Sequence, residues 1–168
     1  MILNNDKITI RTIEQADMDF IQTFWGDEES MLASGGVYNV RDEDKEALFN
    51  ILNKGEEFNN HYIILNDEMA IGDLSIRKYD DKTKAAHMDM KILHVERNKG
   101  FGKKALQAVL DYYFNTVKGE ELFFELWLVN YFAQHKLKEY GFEATLIMED
   151  ATIMTLTKEN YEKGALHV

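Results

Sequence analysis

A chain of 168 residues with 30 acidic and 19 basic side chains, net charge −11, is long enough for one domain with a proper core, expected to span 1–168. With 45% apolar and 12% aromatic residues it reads as globular rather than disordered, and zero cysteines exclude disulfides, thiolate metal sites and a cysteine nucleophile. The acidic excess argues against a nucleic-acid partner, which needs a broad basic face, and favours a cationic one through electrostatic steering.

The opening MILNNDKITI lacks the basic-then-apolar layout of a secretory signal, and no apolar run approaches the roughly 20 residues of a membrane helix. A cytoplasmic protein with no membrane partner is therefore expected. KITIRTI (7–13) alternates and predicts a first strand. Thr12 and Gln15 have capping-box spacing ahead of a helix with Ile13, Phe20, Ile21 and Phe24 on one face. WGDEESMLASGGVYNV (25–40), rich in Gly, Ser and acids, predicts a long loop. Asp42 can cap a helix whose apolar face is Leu48, Ile51 and Leu52, closed by Gly55.

Three strands follow at 61–65, 69–79 and 85–95, separated by tight turns at NDE and DDKTK. A helix from about Gly102 places Leu106, Val109, Leu110, Tyr113 and Val117 at helical spacing. ELFFELWLV (121–129) is a long apolar strand. Asn130 starts a short helix with Ala133, Leu137 and Tyr140 on one face and Gly141 at its end, and FEATLI and ATIMTLT close the chain as a hairpin. The order β-α-α-β-β-β-α-β-α-β-β predicts a mixed α/β fold.

The segment HVERNKGFGKKAL (94–106) gathers Arg97, Lys99, Lys103, Lys104 and two glycines where a strand gives way to a helix. Glycines there let the backbone approach a ligand, and the first helical turn offers unpaired N–H groups at the positive end of the dipole. Together they make an anion site, commonly for phosphate. Three phosphate motifs compete. GFGKKA can pass for a dinucleotide fingerprint with Ala105 in third place and Glu125 further on, but the charged ERNK separates its first glycine from the strand, and only 66 residues follow Gly102. A Walker loop needs Ser or Thr where Lys104 stands.

Arg-x-x-Gly-x-Gly, as Arg97, Gly100 and Gly102, resembles the acyl-CoA pyrophosphate loop of the GNAT superfamily of N-acetyltransferases. VNYFAQHKLKEYGF (129–142) is similar to that family's closing motif of Asn, Ala three residues on, and Gly-Phe after the helix. The opening strand and two helices, the AIGDLSI strand with Gly72 and the terminal hairpin match the family order, so the resemblance covers nearly the whole chain. It implies a predominantly antiparallel sheet flanked by helices, acetyl-CoA as co-substrate and no metal.

The resemblance also implies roles. The turn Arg97, Asn98, Lys99, Gly100, Phe101, Gly102 and Lys103 would bind the pyrophosphate. The family splays its fourth and fifth strands, so main chain near Ile92, Leu93 and His94 would hold the pantetheine arm and acyl carbonyl. Asn130 would contact the cofactor, cap its helix, or both. The family's frequent acid is a Tyr four residues before the Gly-Phe pair; here Leu137 stands there. Tyr140 and Tyr131 are the candidates to replace it, with packing as the alternative for each.

Acyl transfer to an amine needs a group to take a proton and an N–H donor for the developing oxyanion. Strand alternation puts His87, Asp89 and Lys91 on one face, so His87 and Asp89 form a candidate relay, or simply two solvated strand residues. Glu125, inside an apolar run, is a second candidate base if buried. In the family the first two helices wall the acceptor site, which here means Trp25, Asp27, Glu28, Glu29 and Tyr38, with Met31 alongside. Carboxylates beside aromatics suit a polyamine, an aminoglycoside or a basic peptide amine. The expected function is acetyl transfer to a primary amine of a cationic acceptor. Aminoglycoside acetylation and a catalytically silent acyl-CoA sensor are the alternatives, and a homodimer stays open.

Overall fold

The computed structural model describes residues 2–164. Its strands are β1 (Ile2–Asn5), β2 (Ile8–Thr12), β3 (Asn60–Asn66), β4 (Met69–Asp80), β5 (Ala85–Ile92), β6 (Glu121–Trp127), β7 (Glu143–Ile147) and β8 (Ala151–Thr157). Its helices are α1 (Met18–Trp25), α2 (Glu28–Met31), α3 (Lys45–Leu52), α4 (Phe101–Asp111), α5 (Tyr131–Glu139) and α6 (Lys158–Glu162). All these strands join one sheet in the order β1-β2-β3-β4-β5-β6-β8-β7. Neighbours run antiparallel except β5 and β6, which are parallel because α4 carries the chain back between them. No described helix is long and apolar enough to cross a membrane.

The sheet is covered on both faces. On one, Leu106, Val109 and Leu110 of α4 and Leu137 of α5 pack against Ile10, Ile64, Leu74, Ile76 and Met88. On the other, Met18 and Ile21 of α1 and Leu52 of α3 pack against Ile63. Double coverage explains why β4 is buried without interruption from Ile71 to Ile76. Gly72 lies where β4 approaches β5 most closely: a Cβ there would meet the Lys91 carbonyl oxygen at 2.2 Å.

The predicted elements all form, with corrections: α6 was not anticipated, Asp42 lies inside a 3-10 turn ahead of α3 rather than capping it, β6 ends at Trp127 rather than 129, and five more follow. Strand β1 was not anticipated, because ILNN has no alternation; its pairing with β2, Leu3 opposite Ile10, makes it a strand. The capping pair is Glu14 and Asp17 rather than Thr12 and Gln15: the Glu14 N–H donates to Asp17 Oδ2, and Arg11 grips that carboxylate at 2.7 and 2.8 Å. The loop expected over 25–40 contains α2, with Asp27 as its cap. Ile51 is exposed rather than part of the apolar face of α3. The strand expected to reach residue 95 stops at Ile92, and His94–Glu96 form a 3-10 turn.

The feature that makes a site is a parting of strands. β5 and β6 pair only from Ala85 with Glu121 to Met88 with Phe124. Beyond that, β5 stays with β4 as far as Ile92 and β6 stays with β8 as far as Trp127. Each strand keeps its outer neighbour, so a gap opens between Asp89–Ile92 and 125–127. The closed end is pinned by the Tyr113 hydroxyl, 2.9 and 3.0 Å from the carbonyls of Lys84, just before β5, and Glu121, the first residue of β6.

Candidate active site

Main-chain direction decides which groups line the gap. The Leu93 N–H donates to the Ile71 carbonyl at 2.8 Å, so at Leu93 the polar groups face β4. Alternation then turns the Ile92 N–H and the N–H and C=O of Met90 toward the gap, while the Ile92 carbonyl accepts from Arg97 Nε at 3.0 Å. The His94 N–H is committed to Ser30 Oγ at 2.9 Å. Of the three residues expected to present main chain to a ligand, only Ile92 keeps an N–H toward the gap; the N–H groups of Leu93 and His94 are engaged within the chain. Met90 was missed; only the register of β4 with β5 reveals it.

Past the gap the chain turns into α4. Asn98 and Gly100 take left-handed conformations, φ 62° and 84°, and Gly100 caps the helix without a side chain. The Lys104 N–H donates to the Gly100 carbonyl at 3.2 Å. The N–H groups of Phe101 and Gly102 come before it and have no helical carbonyl one turn back. No acidic side chain occupies this first turn. A Cβ on Gly100 would meet nothing within 4 Å, so the turn opens outward. Open main-chain N–H groups at a helix N-terminus are suited to an anion, the cradle the sequence led one to expect.

The cations around it are more committed than the sequence suggested. Arg97 turns away: its Nε donates to the Ile92 carbonyl at 3.0 Å, and its NH1 and NH2 donate to the carbonyls of Glu29 and Ser30 at 3.3 and 2.6 Å. Burial pushes its pKa down, with Asp27 opposing. The Arg97 N–H donates to the His94 carbonyl at 3.1 Å, so its main chain is engaged in the 3-10 turn while its side chain ties α2 to the end of β5. Lys99 pairs with Glu96 at 3.1 Å and Lys104 with Asp6 at 2.5 Å. Lys103 stands exposed in the first turn of α4.

The expected acceptor wall is also drawn together, through different contacts. Asp27 Oδ2 accepts from the Ser30 N–H at 2.9 Å and lies 2.9 Å from His94 Nδ1. The Ser30 bonds and then His94 hold its carboxylate below the usual range. Glu29 lies 3.0 Å from His94 Nε2, and Glu28 is exposed. The Trp25 indole donates to Asp73 Oδ2 at 2.8 Å and meets Tyr38 and His61 edge-on, each with ring centres 5.9 Å away. Tyr38 is exposed and Met31 buried.

The segment after α2 runs on across the open end of the gap. Asn130 Oδ1 caps α5 by accepting from the Ala133 N–H at 3.2 Å, and its amide donates to the Ala33 carbonyl at 3.5 Å. Gly35 sits against the Trp127 ring. Residues 29–35 thus connect the β5–α4 turn, through Arg97 and His94, to the end of β6.

On the sheet face below, His87, Asp89 and Lys91 share one side of β5 as alternation requires. The expected His87–Asp89 pairing does not form. Asp89 Oδ2 accepts from Lys91 Nζ at 2.8 Å, while the His87 ring lies against Phe123 at 5.3 Å. Burial, with Lys78 and Arg77, pushes the His87 pKa down. For Asp89 burial pulls the other way, but Lys91 dominates and keeps the carboxylate below its ordinary range. Glu125 is exposed, so the burial that would have marked it as a base is absent. Tyr140 is packed in the core near Phe142, and burial raises its pKa. Leu137 is 6% exposed and belongs to the same core, whereas Tyr131 is exposed at the start of α5.

A parted parallel pair thus leads into a helix start that no side chain caps. The sequence profile described as "Acetyltransferase (GNAT) domain" matches residues 7–143. The chain belongs to this GNAT family of acetyltransferases, which use acetyl-CoA. An acetyltransferase of the GNAT family from Bacillus anthracis superposes with TM-score 0.79 at 18% identity, covering 95% of this chain and 99% of that one. The spermidine N-acetyltransferase of Vibrio cholerae, in complex with CoA and spermine, gives 0.78 at 17% identity, covering 94% and 99%. A mutant of the Vibrio cholerae spermidine N-acetyltransferase gives 0.76 at 21% identity, covering 94% and 97%. At such identities the likeness is one of fold. No curated protein sequence matches the chain.

Proposed function

We propose that this protein transfers the acetyl group of acetyl-CoA directly to a primary amine of a cationic acceptor. The observation that carries the reading is the alignment of two features: the gap between β5 and β6, edged by the main chain of Met90 and Ile92, and the uncapped first turn of α4 beyond it. The residues fit the cofactor. N–H groups of the Asn98–Lys103 turn would hold the diphosphate, Ile92 main chain would pair with the pantetheine arm, and the Met90 N–H would polarise the acyl carbonyl. When bound, the cofactor supplies an activated acetyl thioester.

The chain's own groups handle the amine. Asp89 lies one residue beyond the last β5–β6 pair and is held ionised by Lys91, which suits it to attract and orient an ammonium group. The amine must lose a proton before it attacks. His87, kept neutral by its surroundings, is the acceptor on the same strand, directly or through water. Leu137 offers no acid to the departing thiolate, and a CoA thiol is acidic enough to leave without one. Trp25, Tyr38 and Glu28 would wall the acceptor, and the net charge of −11 draws cations toward it. A polyamine or a basic peptide amine is the class supported, alongside the fold likeness to a spermidine N-acetyltransferase.

A second reading rests on Leu137: without an acid at that position the protein could bind acyl-CoA and not turn it over. Thermal shift with acetyl-CoA and thiol release with spermidine, kanamycin and a basic peptide separate the readings. Stabilisation with release on spermidine or the peptide supports the proposal. Release on kanamycin alone assigns an aminoglycoside acetyltransferase. Stabilisation with no release on any amine assigns the sensor, and no stabilisation rejects both.

A further inference from the structure

We propose that Lys91, shared between Asp73 and Asp89, is a positioning residue that sets the orientation and ionisation of the Asp89 carboxylate where β5 and β6 part. The inference rests on the acyl-transfer reading above and adds to it a device reaching from helix α1 through the sheet.

The device is a chain of contacts across three elements. It begins at Trp25, the last residue of α1, whose indole N–H donates to Asp73 Oδ2 at 2.8 Å. Asp73 stands on β4 directly opposite Lys91 of β5 and is 0% exposed. Lys91 Nζ lies 3.2 Å from Asp73 Oδ1 and 2.8 Å from Asp89 Oδ2, with a side chain only 10% exposed. Its ammonium also faces the Trp25 ring, 5.9 Å from the centre. Asp89 at the far end is 41% exposed and borders the gap. The chain therefore grades from a sealed carboxylate to an open one.

The ammonium is divided unequally. Only Asp89 receives a well-aligned hydrogen bond from it. Asp73 Oδ1 finds no well-aligned hydrogen bond among the described residues, so its contact with Lys91 at 3.2 Å is chiefly that of an ion pair. A buried carboxylate in that state is costly unless a cation stays beside it. Asp73 thereby anchors Lys91, and Lys91 in turn holds Asp89 in one rotamer. Two carboxylates with one lysine leave an excess negative charge, and Asp89 is its accessible end.

The other titratable groups facing Asp89 are Arg77 on β4 and His61 on β3; His87 is its neighbour on β5. His61 Nε2 lies 3.9 Å from Asp73 Oδ2, but burial keeps this ring largely uncharged, so it cannot replace Lys91. Arg77 is exposed and screened. Lys91 alone combines burial with contact to both carboxylates.

The test reads Asp89 itself. The carboxyl carbon of Asp89, labelled with 13C and assigned by its loss in Asp89→Asn, is titrated by NMR in the wild type, Lys91→Met, Lys91→Arg and Asp73→Asn. Lys91→Met should raise the Asp89 midpoint by about one to three pH units, as expected for loss of a close opposite charge. Asp73→Asn should lower it, because the ammonium is no longer shared, and Lys91→Arg should stay near wild type. The acid limb of kcat/KM for the amine should move with these midpoints, which a merely structural role would not produce. If Lys91→Met does not fold, the Lys91→Met/Asp73→Asn double variant, compared with Asp73→Asn, carries the same comparison. An Asp89 midpoint that ignores Lys91, or moves the same way in Lys91→Met and Asp73→Asn, overturns the proposal. The titration needs no turnover, so a wild type silent on every amine ends the transferase reading without deciding this one.

Discussion

Gly35 and the Trp127 ring are in contact: a Cβ built on Gly35 would lie 3.2 Å from the indole. These residues come from the segment after α2 and from the last position of β6, and they meet across the mouth of the gap. Gly35 also has φ 93°, so side chains are disfavoured there on two counts.

Gly35→Ala should therefore disturb the acceptor wall without touching the coenzyme turn. The left-handed backbone costs an alanine roughly 1–2 kcal/mol, and the indole must shift as well. Steady-state kinetics should show the amine KM rising by about tenfold, which is what 1.4 kcal/mol amounts to, with the acetyl-CoA KM nearly unchanged. Adding Trp127→Ala should recover the steric part and leave the backbone part.

Gly100→Ala addresses the coenzyme turn instead. Nothing crowds the position, so the effect comes from φ 84° alone, at about 1–2 kcal/mol. The main-chain N–H groups would lose their aim, and isothermal titration should show acetyl-CoA binding weakened about tenfold.

Arg97→Lys should behave differently, although the residue belongs to the same motif. The guanidinium serves three carbonyls, and a lysine cannot copy that planar fork. Faster amide hydrogen exchange over 28–36 and a lower Tm are expected, near 2–4 °C for each kcal/mol lost in a domain of this size. Acetyl-CoA affinity should fall less than in Gly100→Ala, because the side chain does not face the cradle.

His61 should give stability a pH slope. Burial lowers its folded-state pKa below the unfolded value near 6.5. Between those values the unfolded chain binds more protons than the folded one, so stability is full above about pH 6.5 and declines as pH falls toward the folded pKa. Urea denaturation at several pH values should show that decline in the wild type and a shallower one in His61→Gln.

Much of the fold was legible before any coordinates. Alternation located β2, strand-like runs between turn signals located β3 to β5, a long apolar run located β6, and 3.6-residue spacing located α4 and α5, because those patterns reflect which face of one element is buried. The exception among the strands, β1, has no pattern of its own and exists through its partner. The turn ahead of α4 was legible too, since Arg97, Gly100 and Gly102 fall within six residues and glycine marks a backbone need. The chemistry on β5 was half legible. Alternation grouped His87, Asp89 and Lys91, but the reading paired Asp89 with His87, and the carboxylate went to Lys91.

The sequence by itself determined the order of the elements other than β1, α2 and α6, the turn ahead of α4 and the side of β5 on which its polar residues stand, since each follows from neighbours within a few residues. Tertiary structure alone decided that Arg97 serves α2, that Asp73 and Trp25 stand behind Lys91, and that β5 and β6 separate after Met88. Those outcomes depend on register between segments tens of residues apart, and a one-residue slip of a strand would have turned every one of these side chains to the opposite face.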